Sequence, residues 1–193
     1  MYYLWIGGPT RLNGIRYTAI DYSMTSMMPT MSVPGASSMY DLYRTMPTFF
    51  APHFKLVFDD LLRRKGPIMY HCSAGQDRTG VTTAVVLSAL GVPRDVIVED
   101  YHLSTQFRRP AFEMPPISPA MAEANPVARM FAGYQKAPGA DKPAPLKTSD
   151  GRAYLEGAFA EIDARWGSVD NYLVSEVGLT REQLKEIRRF YTE

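Results

Sequence analysis

A helix-length stretch that is apolar on nearly every side constrains the fold of this chain most. In residues 79–90, valine, alanine and leucine fall on almost every face of the helix that the pattern predicts. Such a helix is stable only when other elements cover it, so it indicates the centre of a packed core. Gly91 and Pro93 end it. A chain of 193 residues, 46% of them hydrophobic, is long enough for one such core, and we expect a single domain over residues 1–193.

The segment before this helix sets the expected fold class. Gly66 and Pro67 form a turn signal, and the apolar run in residues 68–70 favours a buried strand. Residues 2–6 and 15–22, rich in aromatic and β-branched side chains, are further candidate strands. Together they predict an α/β fold, with a small, mainly parallel sheet wrapped by helices. Its ligand site is expected in the loop between the strand 68–70 and the buried helix, because such folds bind ligands at the carboxyl ends of strands.

Amphipathic patterns predict further helices on both sides of this segment. Apolar residues recur at helical spacing in residues 52–64 and 155–166, and another helix is expected over residues 94–105. Thr180 and Gln183 have the spacing of a capping box ahead of a last amphipathic helix. More than half of the 15 prolines lie between residues 110 and 145, which disfavours a long regular element there. We expect a proline-rich insert or lid in that part.

Charge and cysteine content limit the possible partners. The formal net charge of +1 is too small to indicate nucleic acid or an acidic membrane surface as the main partner. No apolar run approaches the length of a membrane span, so we expect no stable membrane insertion. Cys72 is the only cysteine, which excludes an internal disulfide and favours a reducing, cytoplasmic compartment. The alternative is that a native N-terminal export signal has been lost, and the sequence does not predict an oligomeric state.

Residues 71–80 read His-Cys-Ser-Ala-Gly-Gln-Asp-Arg-Thr-Gly and carry the predicted chemistry. Cys72 is the candidate nucleophile, because loop N–H groups and a helix N-terminus can stabilise its thiolate. Arg78 follows after five residues, and its planar guanidinium can bind two oxygens of a phosphate group. The main-chain N–H groups between them can converge on the same anion. The predicted phosphate-binding residues are Ser73, Ala74, Gly75, Gln76, Asp77, Arg78 and Thr79.

Neighbouring residues have predicted supporting roles. Thr79 can donate a hydrogen bond to the Cys72 sulfur, which stabilises the thiolate and eases its departure. His71 is expected to orient the loop, and Gly80 permits close approach of the backbone. The reaction also needs an acid, for which Asp77 and, upstream, Asp41 are the candidates. For Asp77 a structural carboxylate is the alternative interpretation.

No metal or cofactor is predicted. His53 and His102 lack partners at metal-ligand spacing, so structural or surface roles are favoured for them. Clustered methionines are more often pliable packing than a ligand set. The methionines so interpreted are Met24, Met27, Met28 and Met31.

The chain resembles the protein-tyrosine-phosphatase superfamily, whose signature is His-Cys, five residues, then Arg and Ser or Thr. Within it, residues 71–80 are most similar to bacterial tyrosine/lipid phosphatases whose loop ends Gly-Lys-Asp-Arg-Thr-Gly. Residues 99–104 and 166–173 also resemble that family, and the likeness runs from about residue 40 to the C-terminus. It implies that Cys72 is the nucleophile, Arg78 the phosphate-binding arginine and Thr79 the hydroxyl residue. Asp77 takes the place of the family's loop aspartate, for which a role in proton transfer has been proposed.

Two departures from the family pattern refine this expectation. Gln76 stands where the family usually has lysine, a cation that in related enzymes is linked to phosphoinositide binding. Lipid substrates are therefore disfavoured. The family's opening Asn-Phe-Arg-Asp-Leu-Gly-Gly segment and Asp-Leu-Arg strand are absent, which indicates an N-terminally shortened member.

The expected function is that of a cysteine-dependent phosphatase that acts through a phosphocysteine intermediate. Its expected partner is a phosphorylated protein or peptide, above all one carrying phosphotyrosine, with phosphoserine, phosphothreonine and phosphoinositide esters as further options. One alternative is a pseudophosphatase that binds phosphate without turnover. Another is a sulfurtransferase, which also uses a lone loop cysteine, although its loop lacks this Gly-x-x-Arg-Thr arrangement.

Overall fold

The computed structural model describes residues 14–18, 20, 38–72, 74–113 and 116–192. Helices account for most of this part of the chain. They are α1 (Met39–Phe49), α2 (Ala51–Arg63), α3 (Asp77–Ala89), α4 (Arg94–Phe107), α5 (Pro110–Glu113), α6 (Pro119–Ala124), α7 (Pro126–Lys136), α8 (Leu155–Trp166), α9 (Val169–Ser175) and α10 (Arg181–Thr192). None of these described helices is long and apolar enough to cross a membrane.

The chain divides into two compact units. One contains the residues up to Tyr101 together with those from Leu146 onward, and the other is His102–Pro145. Within the first unit, α3 packs against α1, α2, α8, α9 and α10. Val81, Ala84, Val85 and Ala89 of α3 are buried. The prediction of a central buried helix is therefore confirmed.

The remaining core of the first unit comes from amphipathic helices whose apolar faces meet around α3. The helix α1 runs against α8, and these two form the most extensive helix pair of the unit. Gly157 lies where they cross, and a Cβ added there would overlap the carbonyl oxygen of Tyr40. The largest fully buried side chains include Tyr43, Met46, Phe54, Phe58, Leu155, Ile162, Tyr172, Leu173 and Ile187.

The predicted helices α2, α4 and α8 are present within two residues of their expected ends, and α10 begins directly after the predicted cap Thr180. The helix α8 ends at Gly167, whose φ of 74° is a left-handed conformation that glycine adopts readily. The capping box before α10 also forms: the Thr180 N–H donates to Gln183 Oε1 at 2.8 Å, and the Gln183 N–H donates to Thr180 Oγ1 at 3.1 Å.

The predicted α/β fold is wrong for the part of the chain that the structure describes. Residues 68–70 form no strand, and neither do residues 15–18 and 20, while residues 2–6 lie outside the described ranges. The β pairing among described residues is one isolated antiparallel bridge between Lys147 and Ala153. Met69 is 88% exposed, so the run 68–70 is not buried on both faces. A short apolar run does not say which conformation it adopts, because a strand depends on hydrogen bonds from a distant segment.

Polar contacts, one of them buried, connect helix ends in the first unit. The hydroxyl of Tyr172 on α9 donates to the carbonyl of Pro47 on α1 at 2.7 Å. Arg188 on α10 donates through Nε to the carbonyl of Ala89 at the end of α3, at 2.7 Å. The same guanidinium pairs with Asp170 at 2.6 Å. These contacts tie the C-terminal end of the central helix and that of α1 to neighbouring helices.

The described residues of the proline-rich unit His102–Pro145 include the end of α4 and the helices α5, α6 and α7, so the unit is not irregular chain alone. Pro110, Pro119 and Pro126 are the first residues of α5, α6 and α7. Proline suits this position because its fixed φ is helical and the first N–H of a helix has no internal partner. Within this unit α6 packs against α7, and Ser118 caps α6 by accepting the Met121 N–H at 3.2 Å.

Candidate active site

The predicted phosphate loop leads directly into the central helix. Because α3 begins at Asp77, Arg78 and Thr79 lie in its first turn. The first N–H groups of a helix lack internal partners and carry the positive end of its dipole, which favours an anion at this point. The loop residues described before the helix are Cys72, Ala74, Gly75 and Gln76, whereas Ser73 lies outside the described residues.

Cys72 is partly buried, and its surroundings favour the thiolate. Burial by itself raises the pKa of the thiol. The charge of Arg78, the Thr79 hydroxyl and the N–H groups of Thr79 and Gly75 outweigh burial, so the pKa of Cys72 is below its ordinary value. Thr79 also accepts the Cys72 N–H at Oγ1, at 2.9 Å. Cys72 therefore contacts the first turn of α3 through both its backbone N–H and its sulfur.

Two glycines permit this arrangement for different reasons. Gly75 has a φ of 72°, a left-handed conformation that most side chains disfavour. Gly80 is helical, but a Cβ there would lie 2.9 Å from the ring of Tyr101. The first turn of α3 can approach Tyr101 only because this position has no side chain.

Other residues of the motif lie as follows. The His71 Nδ1–H donates to the carbonyl of Cys72 at 3.0 Å, and the Tyr17 hydroxyl lies 3.5 Å from His71 Nε2. Since a carbonyl only accepts, His71 carries its proton on Nδ1 in this contact.

Gln76 is 4% exposed, and its carbonyl accepts the Gly80 N–H at 2.9 Å. The carbonyl of Arg78 accepts the Thr82 hydroxyl at 2.8 Å.

Asp77 receives a hydrogen bond that the sequence did not predict. The Tyr43 hydroxyl donates to Asp77 Oδ1 at 2.6 Å, and the Tyr101 hydroxyl donates to the Tyr43 oxygen at 2.7 Å. Burial, followed by the charge of Asp77, raises the pKa of Tyr43 far above its ordinary value. Burial likewise raises the pKa of Tyr101. Both hydroxyls therefore keep their protons and act as donors.

Asp41, the second candidate acid, has a different environment. Its Oδ2 accepts the hydroxyl of Ser38 at 2.7 Å, and its N–H donates to the Ser38 oxygen at 3.2 Å. Ser38 is the N-cap of α1, so this pairing closes the first turn of the helix. Asp41 and Tyr43 are two positions apart, or about 200° around the helix, which points them to nearly opposite faces.

The residues set aside from metal binding have the following surroundings where they are described. His53 Nε2 lies 3.2 Å from the carbonyl of Ile20, and burial lowers the pKa of its ring although this contact opposes the change. Among the described residues no group of three or more His, Cys, Asp or Glu side chains could hold a metal ion. The four clustered methionines lie outside the described ranges.

The geometry around Cys72 defines a class of protein in which a cysteine lies just before a helix N-terminus and is influenced by the charge of an arginine in the first turn of that helix. Within that class, the chain belongs to the tyrosine phosphatase family, whose family model matches residues 8–193. This match spans the motif, the tyrosines beside Asp77 and the C-terminal helices.

Relatives with known names are similar over most of this chain. A Cupriavidus necator protein, named among the tyrosine-protein phosphatases, is 31% identical over 94% of this chain and 59% of its own length. A tyrosine-protein phosphatase of Nostoc commune is 28% identical over 87% of this chain and 56% of its own. The triple specificity protein phosphatase PtpB of Mycobacterium tuberculosis is 32% identical over 82% of this chain and 57% of its own length. This chain matches somewhat more than half the length of each relative.

Proposed function

We propose that this chain is a cysteine-dependent phosphatase that hydrolyses phosphotyrosine monoesters in proteins or peptides. The observation that carries the proposal is the position of Cys72 just before α3: its N–H donates to Thr79 Oγ1 at 2.9 Å, and Arg78 and Thr79 lie in the first turn of that helix. The same groups, with the Gly75 N–H, hold the pKa of Cys72 below its ordinary value although burial raises it. A thiolate is the reactive form of cysteine, and the groups that stabilise it are those that bind a phosphate dianion. Membership of the tyrosine phosphatase family and the names of the relatives support the same reaction.

In the first step the Cys72 sulfur attacks phosphorus in line with the leaving phenolic oxygen. The sulfur–phosphorus bond forms as the phosphorus–oxygen bond breaks, and the phenolic oxygen takes up a proton from Asp77. Arg78 and the loop N–H groups stabilise the charge on the three equatorial oxygens. The products are the dephosphorylated tyrosine side chain of the substrate protein and a phosphocysteine in the enzyme.

In the second step water attacks the phosphocysteine and restores the enzyme. The Asp77 carboxylate accepts a proton from the water as the oxygen–phosphorus bond forms, and the sulfur leaves as a thiolate. The Thr79 hydroxyl stabilises this departing thiolate, just as it stabilises the resting one. Inorganic phosphate is released, and Asp77 is again protonated for the next cycle.

The surroundings of the two carboxylates favour Asp77 over Asp41 as the acid. Asp77 is the first residue of α3, next to Arg78, and Tyr43 orients its carboxylate. Asp41 already accepts the Ser38 hydroxyl within its own helix turn.

Replacing Asp77 with Asn is therefore expected to slow the hydrolysis of esters with poor leaving groups more than that of esters with good ones, because only the former need the proton. Equal losses for both kinds of ester would assign Asp77 a structural role.

The substrate preference rests on Gln76. Its side chain is neutral and buried, so it offers no cation to the additional phosphates of a phosphoinositide. We therefore favour phosphotyrosine peptides over phosphoinositides. Side-by-side turnover of both substrates tests this, and preferential release of phosphate from the lipid headgroup would contradict it.

The central experiment compares the purified wild-type chain with Cys72→Ser. The wild-type chain should release para-nitrophenol from para-nitrophenyl phosphate, and the variant should not, since a serine hydroxyl stays protonated at neutral pH. The variant should still bind a phosphotyrosine peptide, because the loop N–H groups and Arg78 are intact. No hydrolysis by the wild-type chain would favour a pseudophosphatase, and sulfur transfer from thiosulfate to cyanide without hydrolysis would favour a sulfurtransferase.

A further inference from the structure

We propose that Tyr43, supported by Tyr101, is a positioning residue that holds the Asp77 carboxylate for proton transfer to the leaving phenol. This inference rests on the proposed phosphatase reaction and assigns to it two residues outside the motif. It begins from the chain of hydrogen bonds from Tyr101 to Tyr43 to Asp77, with lengths of 2.7 and 2.6 Å.

The direction of this chain is fixed by its chemistry. Each tyrosine has one hydroxyl proton, and Tyr43 donates its proton to Asp77 Oδ1 in a hydrogen bond. Its oxygen is then the acceptor for the proton of Tyr101. Both O–H bonds point toward the carboxylate, and bonds aligned in this way polarise one another. A short hydrogen bond to Oδ1 results, which leaves Oδ2 as the oxygen that carries the transferred proton.

Packing holds both donors in place. Tyr43 is 0% exposed and Tyr101 is 4% exposed. Their rings meet edge to face, with centroids 6.1 Å apart and an angle of 76° between the planes. The ring of Tyr154 lies on another side of Tyr43, with centroids 6.0 Å apart. The Tyr101 ring also lies against Gly80, where an added Cβ would be 2.9 Å from it, so Tyr101 packs on the helix that begins at Asp77.

This arrangement distinguishes the two oxygens of Asp77. Tyr43 engages Oδ1, which restricts rotation of the carboxylate about its bond to the chain. The proton that the reaction transfers is then carried by Oδ2, in one orientation relative to Arg78 and Cys72. General acid catalysis depends on such alignment, because a misplaced donor loses most of its advantage.

The test replaces Tyr43 with Phe, which keeps the ring and removes the hydroxyl. Tyr43→Phe should lower kcat/KM about tenfold for phenyl phosphate, whose leaving group needs the proton, and less than about threefold for dinitrophenyl phosphate. Inhibition by vanadate should be unchanged, because the loop and Arg78 do not depend on the hydroxyl. Tyr101→Phe leaves the bond from Tyr43 to Asp77 intact and should show the same pattern with smaller losses.

Tyr172→Phe is the matched control. Tyr172 is equally buried, and its hydroxyl donates to the Pro47 carbonyl at 2.7 Å on α1, the helix that also carries Tyr43. Its loss therefore weakens the support of α1 without removing the hydroxyl that reaches Asp77. This variant should lose stability without any change in leaving-group dependence. Its melting temperature, measured beside that of Tyr43→Phe, separates a loss of fold from a loss of alignment.

A double-mutant cycle with Asp77→Asn completes the test. If Tyr43 acts through Asp77, removing its hydroxyl should have no further effect on phenyl phosphate turnover in the Asp77→Asn background. Additive losses, or equal losses on both esters, would overturn the inference while leaving the phosphatase reaction in place. Absence of turnover by the wild-type chain would overturn both.

Discussion

At the scale of single residues, Thr79 contacts both the backbone and the sulfur of Cys72, the proposed nucleophile. Its oxygen accepts the Cys72 N–H at 2.9 Å, while its hydroxyl proton stabilises the Cys72 thiolate. One side chain thus fixes where the sulfur lies and favours its charged form. Either contact alone would leave the cysteine less well placed or less ionised.

Thr79→Ala should therefore raise the pKa of Cys72, because it removes one of the hydrogen bonds that hold this pKa below its ordinary value. Attack requires the thiolate, so the acidic limb of the kcat/KM profile should move to higher pH. The ultraviolet absorbance of the thiolate should move with it. Thr79→Ser keeps the hydroxyl and should retain the wild-type profile. An unchanged acidic limb in Thr79→Ala would show that this hydroxyl does not control the thiol.

Arg78→Lys tests the shape of the cation rather than its charge. An ammonium cannot form the two parallel hydrogen bonds of a guanidinium, so kcat/KM should fall at least about tenfold. The thiolate should be largely kept, since a positive charge remains near Cys72. Steady-state kinetics with para-nitrophenyl phosphate measures the loss, and a wild-type rate would remove Arg78 from the site.

The sequence predicts the contiguous part of this site and not the part that folding assembles. Cys72, Arg78 and Thr79 lie within one loop and one helix turn, so their spacing alone places them together. Tyr43 comes from a separate helix 34 positions before Asp77. Its spacing from Met46 is typical of a buried helix face, and nothing in that pattern separates a catalytic donor from a core tyrosine.

At the scale of elements, the contact between α1 and α8 depends on one position. Gly157 allows the two backbones to approach, because any Cβ there would overlap the carbonyl oxygen of Tyr40. Tyr40 lies on the same helix as Tyr43. A displacement of α1 at this crossing would therefore reach the hydrogen bond on Asp77.

Gly157→Ala should destabilise the chain by about 1–3 kcal/mol, since the overlap is with backbone rather than with a flexible side chain. Gly133→Ala is the control, because an added Cβ within α7 meets nothing within 4 Å. The control should be neutral or stabilising by up to about 1 kcal/mol, as alanine favours helix over glycine. Urea unfolding of both variants measures the difference. Equal stability of the two variants would contradict the close crossing.

Helices are predictable here because their signal is local, whereas the strand signal is not. The apolar stripes of α2, α8 and α10 repeat within each segment, and caps such as Thr180 with Gln183 mark an end. The run 68–70 contains no such local repeat or cap, and whether it forms a strand depends on partners elsewhere in the chain. The prolines of α5, α6 and α7 illustrate the reverse case, in which residues that break helices also begin them.

At the scale of the whole molecule, the chain divides into two compact units, and the proline-rich part of the sequence lies in one of them. The unit His102–Pro145 contains the insert expected at residues 110–145. A single phosphatase domain with a lid at these residues stays a prediction. The length and proline content of the segment are the reasons for it.

Limited proteolysis tests whether that segment is a lid. Vanadate, a phosphate analogue, should slow cleavage within residues 110–145 of the wild-type chain if the segment closes over bound ligand. Arg78→Ala, which lacks the phosphate-binding guanidinium, should show no such protection at the same vanadate concentration. Cleavage at equal rates with and without vanadate in the wild-type chain would make the segment a passive insert.

The position of Cys72 also allows the active molecules in a preparation to be counted by labelling this residue. It is the sole sulfhydryl of the chain, and its thiolate is favoured by the charge and hydrogen bonds around it. An alkylating agent such as iodoacetamide, used at mildly acidic pH where ordinary thiols react slowly, would attach one label per molecule. The fraction labelled, read by mass spectrometry, gives the stoichiometry of competent sites in a preparation. Turnover numbers can then be referred to that titre rather than to total protein.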